Sequence, residues 1–271
     1  MTSGRASDGL TAVTPILFLG AFGDSPGERL VAGSHRAIAL DILERAREAC
    51  LGRPIVATNW VELAEELRAQ ADIARDSGPF HFGRRLLEVV RQFGVSRPFY
   101  LGRGYGALMP AETLSDIAST LGQSRDTVIT NNYYSSDLVA FTPGPAMEAI
   151  VAPNNDNALA RLLNIEAGLR LVSLPRSAAT LFDVDTPSDL WALRFHKQAG
   201  PQTRRYLESL DLDTSRLERL LKLFADPYAE VLVAGRLSSF IWSRLEESSA
   251  CRVRLLAEER GMRADGRDDA G

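Results

Sequence analysis

The segment Phe182-Asp183-Val184-Asp185-Thr186-Pro187-Ser188-Asp189-Leu190 puts two carboxylates, Asp183 and Asp185, at alternate positions of an extended run, so both face one way. Like charges on one face repel unless a cation stands between them, and carboxylate oxygens suit Mg²⁺. The residues that follow read as a helix start: Thr186 as N-cap, Pro187 in the first turn and Asp189 closing a variant capping box. Such a cap explains Thr186 to Asp189 but not Asp183. A second polar cluster runs Thr130-Asn131-Asn132-Tyr133-Tyr134-Ser135-Ser136-Asp137. A turn needs only one or two such side chains. Asn131, Asn132, Ser135 and Ser136 are therefore candidates to hold an acceptor substrate, and Asp137 is a catalytic candidate.

Three glycine-bearing stretches could admit a ligand to the backbone. Gly20-Ala21-Phe22-Gly23 precedes a helical pattern carrying Arg29. It could turn amides toward a phosphate, or it could be a strand-to-helix connection with unusual backbone angles. Gly78-Pro79-Phe80-His81-Phe82-Gly83 opens another helix. There Gly78 and Pro79 could border a ligand, while His81 reads more simply as a residue of the helix start. Gly102-Arg103-Gly104-Tyr105-Gly106 follows a strand, and the planar fork of Arg103 suits phosphate. A bulge with Arg103 in solvent is the alternative.

These loops need a scaffold to bring them together. Apolar β-branched runs (Ile16–Leu19, Pro54–Thr58, Pro98–Leu101, Thr127–Thr130, Leu138–Phe141 and Leu169–Leu174) alternate with helical patterns (Ala37–Ala49, Val61–Ala71, Phe82–Phe93, Ala111–Leu121, Asn155–Leu163 and Thr186–Phe195). Continuous apolar strands between helices predict a three-layer α/β/α sandwich around a mostly parallel sheet. Ligands in such sheets bind beyond the carboxyl ends of the strands, which gathers 20–33, 102–109 and 131–137 around one crevice. The α/β domain is expected over 12–199. A helical C-terminal extension is expected over 200–263, where Tyr228–Leu245 carries an apolar stripe, and loose tails over 1–11 and 264–271.

Composition narrows the partners. With 31 Lys+Arg against 35 Asp+Glu there is no basic excess for nucleic acid or membrane surfaces. Two cysteines and three histidines are too few for a zinc framework and fit a reduced, cytoplasmic setting. No run approaches the roughly 18 to 20 apolar residues that span a bilayer.

The Asp183–Leu190 segment resembles the Asp-hydrophobic-Asp-Thr-Pro-Glu-Asp-Leu stretch of MobA-like nucleotidyltransferases, which include 2-phospholactate guanylyltransferase and the molybdenum-cofactor guanylyl- and cytidylyltransferases. Gly78–Gly83 resembles their Gly-Pro-Leu-Ala-Gly-Leu helix start. Gly102–Leu114 resembles their Gly-x-Asp-x-Pro-Leu-Leu-x-Pro-x-x-Leu stretch, and the order holds from Pro15 to Phe195. The resemblance implies a GT-A-like fold and a Mg²⁺-dependent transfer of a nucleotide from an NTP to a small phosphorylated acceptor, with pyrophosphate released. It implies Gly20 and Gly23 on the phosphates, Gly78 and Pro79 near the base and Asp185 near the metal, and to these the residues themselves add Ala21, Gly102 and Gly104 around the nucleotide, Arg29 and Arg103 on phosphate and Asp183 at the metal. A homodimer through the C-terminal helices would complete the picture. Two departures stand out. The family's phosphate-loop Lys is missing, leaving Arg29 or Arg36 to substitute, and its metal-binding Asp falls at about Tyr105. The competing readings are a non-catalytic nucleotide-binding or scaffold protein on this fold, and a glycosyltransferase using a nucleotide-sugar.

Overall fold

The computed structural model describes residues 12–20, 23–76 and 78–258. The expected tails, and Ala21 and Phe22 of the first glycine loop, lie outside these residues. The chain divides into one unit through Ser209 and a second from Leu210.

The first unit is built on a seven-stranded sheet: β1 (Thr14–Phe18), β2 (Ile55–Thr58), β3 (Asp72–Arg75), β4 (Pro98–Leu101), β5 (Thr127–Thr130), β6 (Leu138–Thr142) and β7 (Arg170–Ser173), in spatial order β3-β2-β1-β4-β6-β5-β7. All neighbours are parallel except β6, which runs antiparallel to both β4 and β5. Because β6 is reversed, its amino end and the Asn131–Asp137 loop share the edge where β1 and β4 terminate. β3 was not expected. It is a short edge strand whose charged ends, Asp72 and Arg75, hide its β pattern.

Helices α1 (Pro26–Glu48), α2 (Val61–Leu67), α3 (Phe82–Gln92), α4 (Ala111–Gly122), α5 (Leu159–Ile165), α6 (Ala178–Leu181), α7 (Pro187–Arg194) and α8 (Pro201–Glu208) complete the unit. Alternate strand residues Ile16, Phe18, Ile55, Ala57, Val128, Val139 and Phe141 join Leu86 and Val89 of α3 and Leu159 and Leu163 of α5 in one core. α1 begins eleven residues before the apolar pattern at Ala37, because Ser25 and Glu28 form a capping box and Pro26 occupies the first turn.

The expected helical extension from residue 200 needs correcting. α8 belongs to the first unit: buried Asp41 on α1 accepts from Gln202 N (2.9 Å), Thr203 N (2.9 Å) and Thr203 Oγ1 (2.6 Å), capping α8 from outside. In the second unit, α9 (Ser215–Phe224) and α10 (Ser239–Ser248) alternate with β8 (Glu230–Arg236) and β9 (Arg252–Glu258), a parallel pair. The stripe read as one helix over Tyr228–Leu245 is therefore a strand followed by a helix. Val233 fell on the helical spacing of Leu237, Phe240, Ile241 and Leu245, but with Val231 it keeps the two-residue period of a strand.

Candidate functional site

The crevice is organised by the turn after β4. Gly102 N donates to Asp137 O at 2.7 Å, and Val184 N donates to Gly104 O at 3.2 Å. One glycine turn thus fastens both acid-bearing segments seen in the sequence. Gly104 lies at φ +80°, where a Cβ would run into Val184 O and His35 Nε2. Only glycine lets these backbones approach so closely. His35, buried on α1, hydrogen-bonds Val184 O at 2.5 Å through Nε2 and fixes the Asp183–Asp185 run from below. Burial, followed by the nearby Arg103 charge, pushes the His35 pKa down to about 4, so the ring is neutral.

Asp137, Asp183 and Asp185 come within electrostatic reach of one another, as the sequence suggested. A fourth carboxylate, Asp156, was missed. It accepts from Tyr100 Oη at 2.8 Å, and its Oδ2 stands 3.4 Å from where a Gly102 Cβ would sit. The signal available was Asn154-Asn155-Asp156-Asn157, a polar run as dense as 130–137. Burial, and then the Asp183 charge, pushes Asp137 up to about 7. Burial, and then the Asp185 charge and a hydrogen bond with the Asp185 carboxyl, pushes Asp183 up to about 6. Asp156 is also raised, chiefly by burial. The charge of Asp185 therefore reaches the Asp183 carboxyl. Among the described residues, however, no group of three or more His, Cys, Asp or Glu side chains is already arranged to hold a metal ion. Downstream, Asp189 Oδ2 accepts from Asp185 N (3.0 Å) and Thr186 N (2.7 Å), the cap expected there.

The first turn of α1 lies beside the start of α7, since a Cβ on Gly27 would be 3.5 Å from Pro187 Cγ. Arg103, exposed, brings Nη1 within 3.9 Å of a Gly20 Cβ position and so bridges the glycine loop after β1 and the acidic turn. Glu28 folds over Gly23, accepting from Ser25 N at 3.1 Å, so a carboxylate of the chain itself lies against this loop. Arg29 donates to Asp24 O. Arg36, the other candidate to substitute for the missing lysine, pairs with Glu66 (2.5 Å). Gly78 takes φ +97° with open space around it, and His81 caps α3. Phe80, overlooked in the sequence, is 60% exposed and meets the Phe18 ring edge-on at 5.9 Å. Phe18 in turn meets Tyr100 at 5.5 Å, so an open aromatic face borders the carboxylates.

In the 131–137 loop the expected acceptor ligands already bond to the protein itself. Asn131 is spent inside the loop: Oδ1 accepts from Asp137 N and Leu138 N (both 3.0 Å), and Nδ2 donates to Asp137 Oδ2 (3.0 Å). Ser135 and Ser136 bond Asn157 (3.0 and 3.2 Å), and Asn132 Oδ1 accepts from Tyr134 N (3.1 Å). These bonds brace the polar patch around Asp137. Tyr105 is buried, with its hydroxyl donating to Thr180 O at 3.0 Å, so it is a packing residue. Counted from Gly102 to Pro110, the family's aspartate falls on Gly104 and not on Tyr105. No helix among the described residues is long and apolar enough to cross a membrane.

No family model and no curated protein sequence matches the chain. Solved structures do. A protein from Desulfovibrio desulfuricans G20 described as a nucleotide-diphospho-sugar transferase superposes with a TM-score of 0.56 at 16% identity, covering 77% of this chain and 97% of that one. A CMP:2-keto-3-deoxy-manno-octonic acid synthetase complexed with CTP gives 0.46 at 13% identity over 67% and 96% of the two chains. A cytidylyltransferase from Leptospira borgpetersenii serovar Hardjo-bovis gives 0.47 at 13% over 78% and 94%. The likeness is one of architecture: the first unit has the α/β fold of the nucleotide-diphospho-sugar transferase.

Proposed function

We propose that the chain is a Mg²⁺-dependent nucleotidyltransferase that moves a nucleoside monophosphate from an NTP to a small phosphorylated acceptor, releasing pyrophosphate. The observation that carries this reading is the meeting of Asp137, Asp183 and Asp185 on the Gly102–Gly104 turn, with Arg103 reaching back to Gly20. The MobA-like order of motifs supports it. Mg²⁺ usually takes one or two carboxylates from protein and completes its shell with phosphate oxygens and water. Asp183 and Asp185 suit that division, and the bound ion would neutralise charge developing on the phosphates. Arg103 would grip phosphate oxygens. Gly78, Pro79 and the open ring of Phe80 would border the base. A phosphate oxygen attacks without a general base at neutral pH, so the part of Asp137 is charge: it ionises fully once a cation is near. Both cysteines are free, in keeping with a reduced compartment such as the cytoplasm.

A second reading, a nucleotide-binding protein without chemistry, draws on Gly104 at the family's aspartate position and on Glu28 over Gly23. A thermal-shift series with ATP, GTP, CTP and UTP, each with Mg²⁺ and with EDTA, separates the two. Ligand at ~100 times its dissociation constant adds about 2.7 kcal/mol, or roughly 5 to 10 °C for a chain of this size. A Mg²⁺-dependent shift for one nucleotide, followed by pyrophosphate release with a phosphorylated acceptor, supports transfer. A shift indifferent to EDTA supports binding alone. Free nucleoside diphosphate formed from a nucleotide-sugar would instead mark a glycosyltransferase.

A further inference from the structure

Among its described residues the second unit buries only Val231 and Cys251, while Leu221, Leu223, Tyr228, Leu232, Ile241 and Leu256 are exposed. A parallel sheet is ordinarily covered on both faces, and two strands alone are marginal in water. Along β8, Val231 and Val233 point to the more buried face, whereas Leu232 and Ala234 point to solvent. The only ladder of β8 among the described residues is with β9, so its other edge is open.

The sequence of that edge, Glu230-Val231-Leu232-Val233-Ala234-Gly235-Arg236, complements itself when reversed. Antiparallel pairing about Val233 sets Glu230 against Arg236, Leu232 against Ala234 and Val231 against Gly235, charge to opposite charge and large to small. Nothing lies within 4 Å of where a Gly235 Cβ would sit, so the space facing Val231 is free. A slip of two residues unpairs both charges. We infer that two copies of this chain meet through β8, joining two parallel pairs into one four-stranded sheet by a two-fold contact. The interface is then a strand edge and not the helices expected from the sequence. The inference does not depend on the proposed nucleotidyl transfer.

Sedimentation velocity on the full chain tests it. The wild type should be dimeric, and Arg236→Glu or Glu230→Arg should each raise the dimer dissociation constant at least about tenfold by setting like charges opposite each other twice. Mixing the two variants should restore a one-to-one heterodimer, because each chain then carries the charge the other lacks. Far-ultraviolet circular dichroism spectra equal to the wild type's confirm that the variants fold. Glu230→Arg also breaks the Glu230–Arg254 pair at 2.5 Å. Should it unfold, Arg236→Glu against Arg236→Gln carries the test, with Glu weakening the dimer more than Gln. A wild type that stays monomeric at about 100 µM, a dimer indifferent to Arg236→Glu, or a mixture that fails to reassociate overturns the inference.

Discussion

Replacing Asp137 with Asn should stabilise the ligand-free protein and abolish its cation-dependent nucleotide binding. The Asp137 carboxyl is raised from 3.8 to about 7, first by burial and then by Asp183. A folded pKa above the unfolded one means stability that is full below pH 3.8 and is lost as pH rises through about 7. Roughly three units at about 1.4 kcal/mol each set a ceiling near 4 kcal/mol above pH 7. Water reaching the partly open carboxyl should lower this to about 2 kcal/mol. Asn keeps the shape and can still accept from Asn131 Nδ2. The variant should therefore melt with the wild type at pH 4 and roughly 4 to 8 °C above it at pH 8. The assay is a melting series over that range, repeated with Mg²⁺ and the nucleotide that binds the wild type. A variant that melts lower at every pH would mean Asp137 is a structural acceptor. One that melts higher yet binds nucleotide normally would remove Asp137 from the site.

Three further substitutions probe the scaffold around the carboxylates. His35, with its pKa depressed to about 4, contributes stability that is whole above pH 6.5 and drains as pH falls toward 4, up to about 3 kcal/mol. Urea unfolding of His35→Gln should lose that slope, and slopes equal to the wild type would refute the assignment. Asp41→Ala leaves Gln202 N, Thr203 N and Thr203 Oγ1 without their acceptor and should cost about 2 to 4 kcal/mol by denaturant midpoint; a loss under about 0.5 kcal/mol would show that α8 caps itself. Tyr105→Phe removes one buried bond to Thr180 O and should cost about 1 to 2 kcal/mol. Its nucleotide affinity, by calorimetry, should stay at the wild-type value; a large drop would mean that Tyr105 does touch the ligand.

The parallel sheet was legible because strands buried on both faces read as unbroken apolar runs, as in Pro98–Leu101 and Thr127–Thr130. Asp183 was legible as an acid that the neighbouring cap could not explain. What escaped were features set by distant contacts. Asp156 is defined by the Tyr100 hydroxyl, 56 positions away, and His35 by the Val184 carbonyl, 149 positions away. The bracing of the polar loop was hidden for the same reason. Counting side chains in Asn131–Asp137 could not reveal that Asn157, beyond β6, would consume two of them. In the second unit, Val233 served both a helical spacing with Leu237, Phe240 and Ile241 and a strand period with Val231, and the pairing with β9 decides between them.

Gly104 sharpens the question of where the charge in this crevice comes from. An aspartate there, as the MobA-like pattern would have it, would need a Cβ where Val184 O and His35 Nε2 already stand, so introducing one would push the Asp183–Asp185 run outward. The fold has closed that position to any side chain. The neighbouring loops nevertheless supply two carboxylates at the same turn: Asp137, whose carbonyl is bound by Gly102 N, and Asp156, whose carboxylate lies over Gly102. Acids serving no ligand would gain by turning to water, because burying them together costs stability. Instead Asn131 and Tyr100 hold both in place. If the site takes a cation, Asp137 and Asp156 replace from the flanks the charge that Gly104 gave up. Gly104→Asp should then lower the melting temperature without strengthening Mg²⁺-dependent nucleotide binding, and a variant that folds well and binds more tightly would show that the β4 turn is still the metal's position.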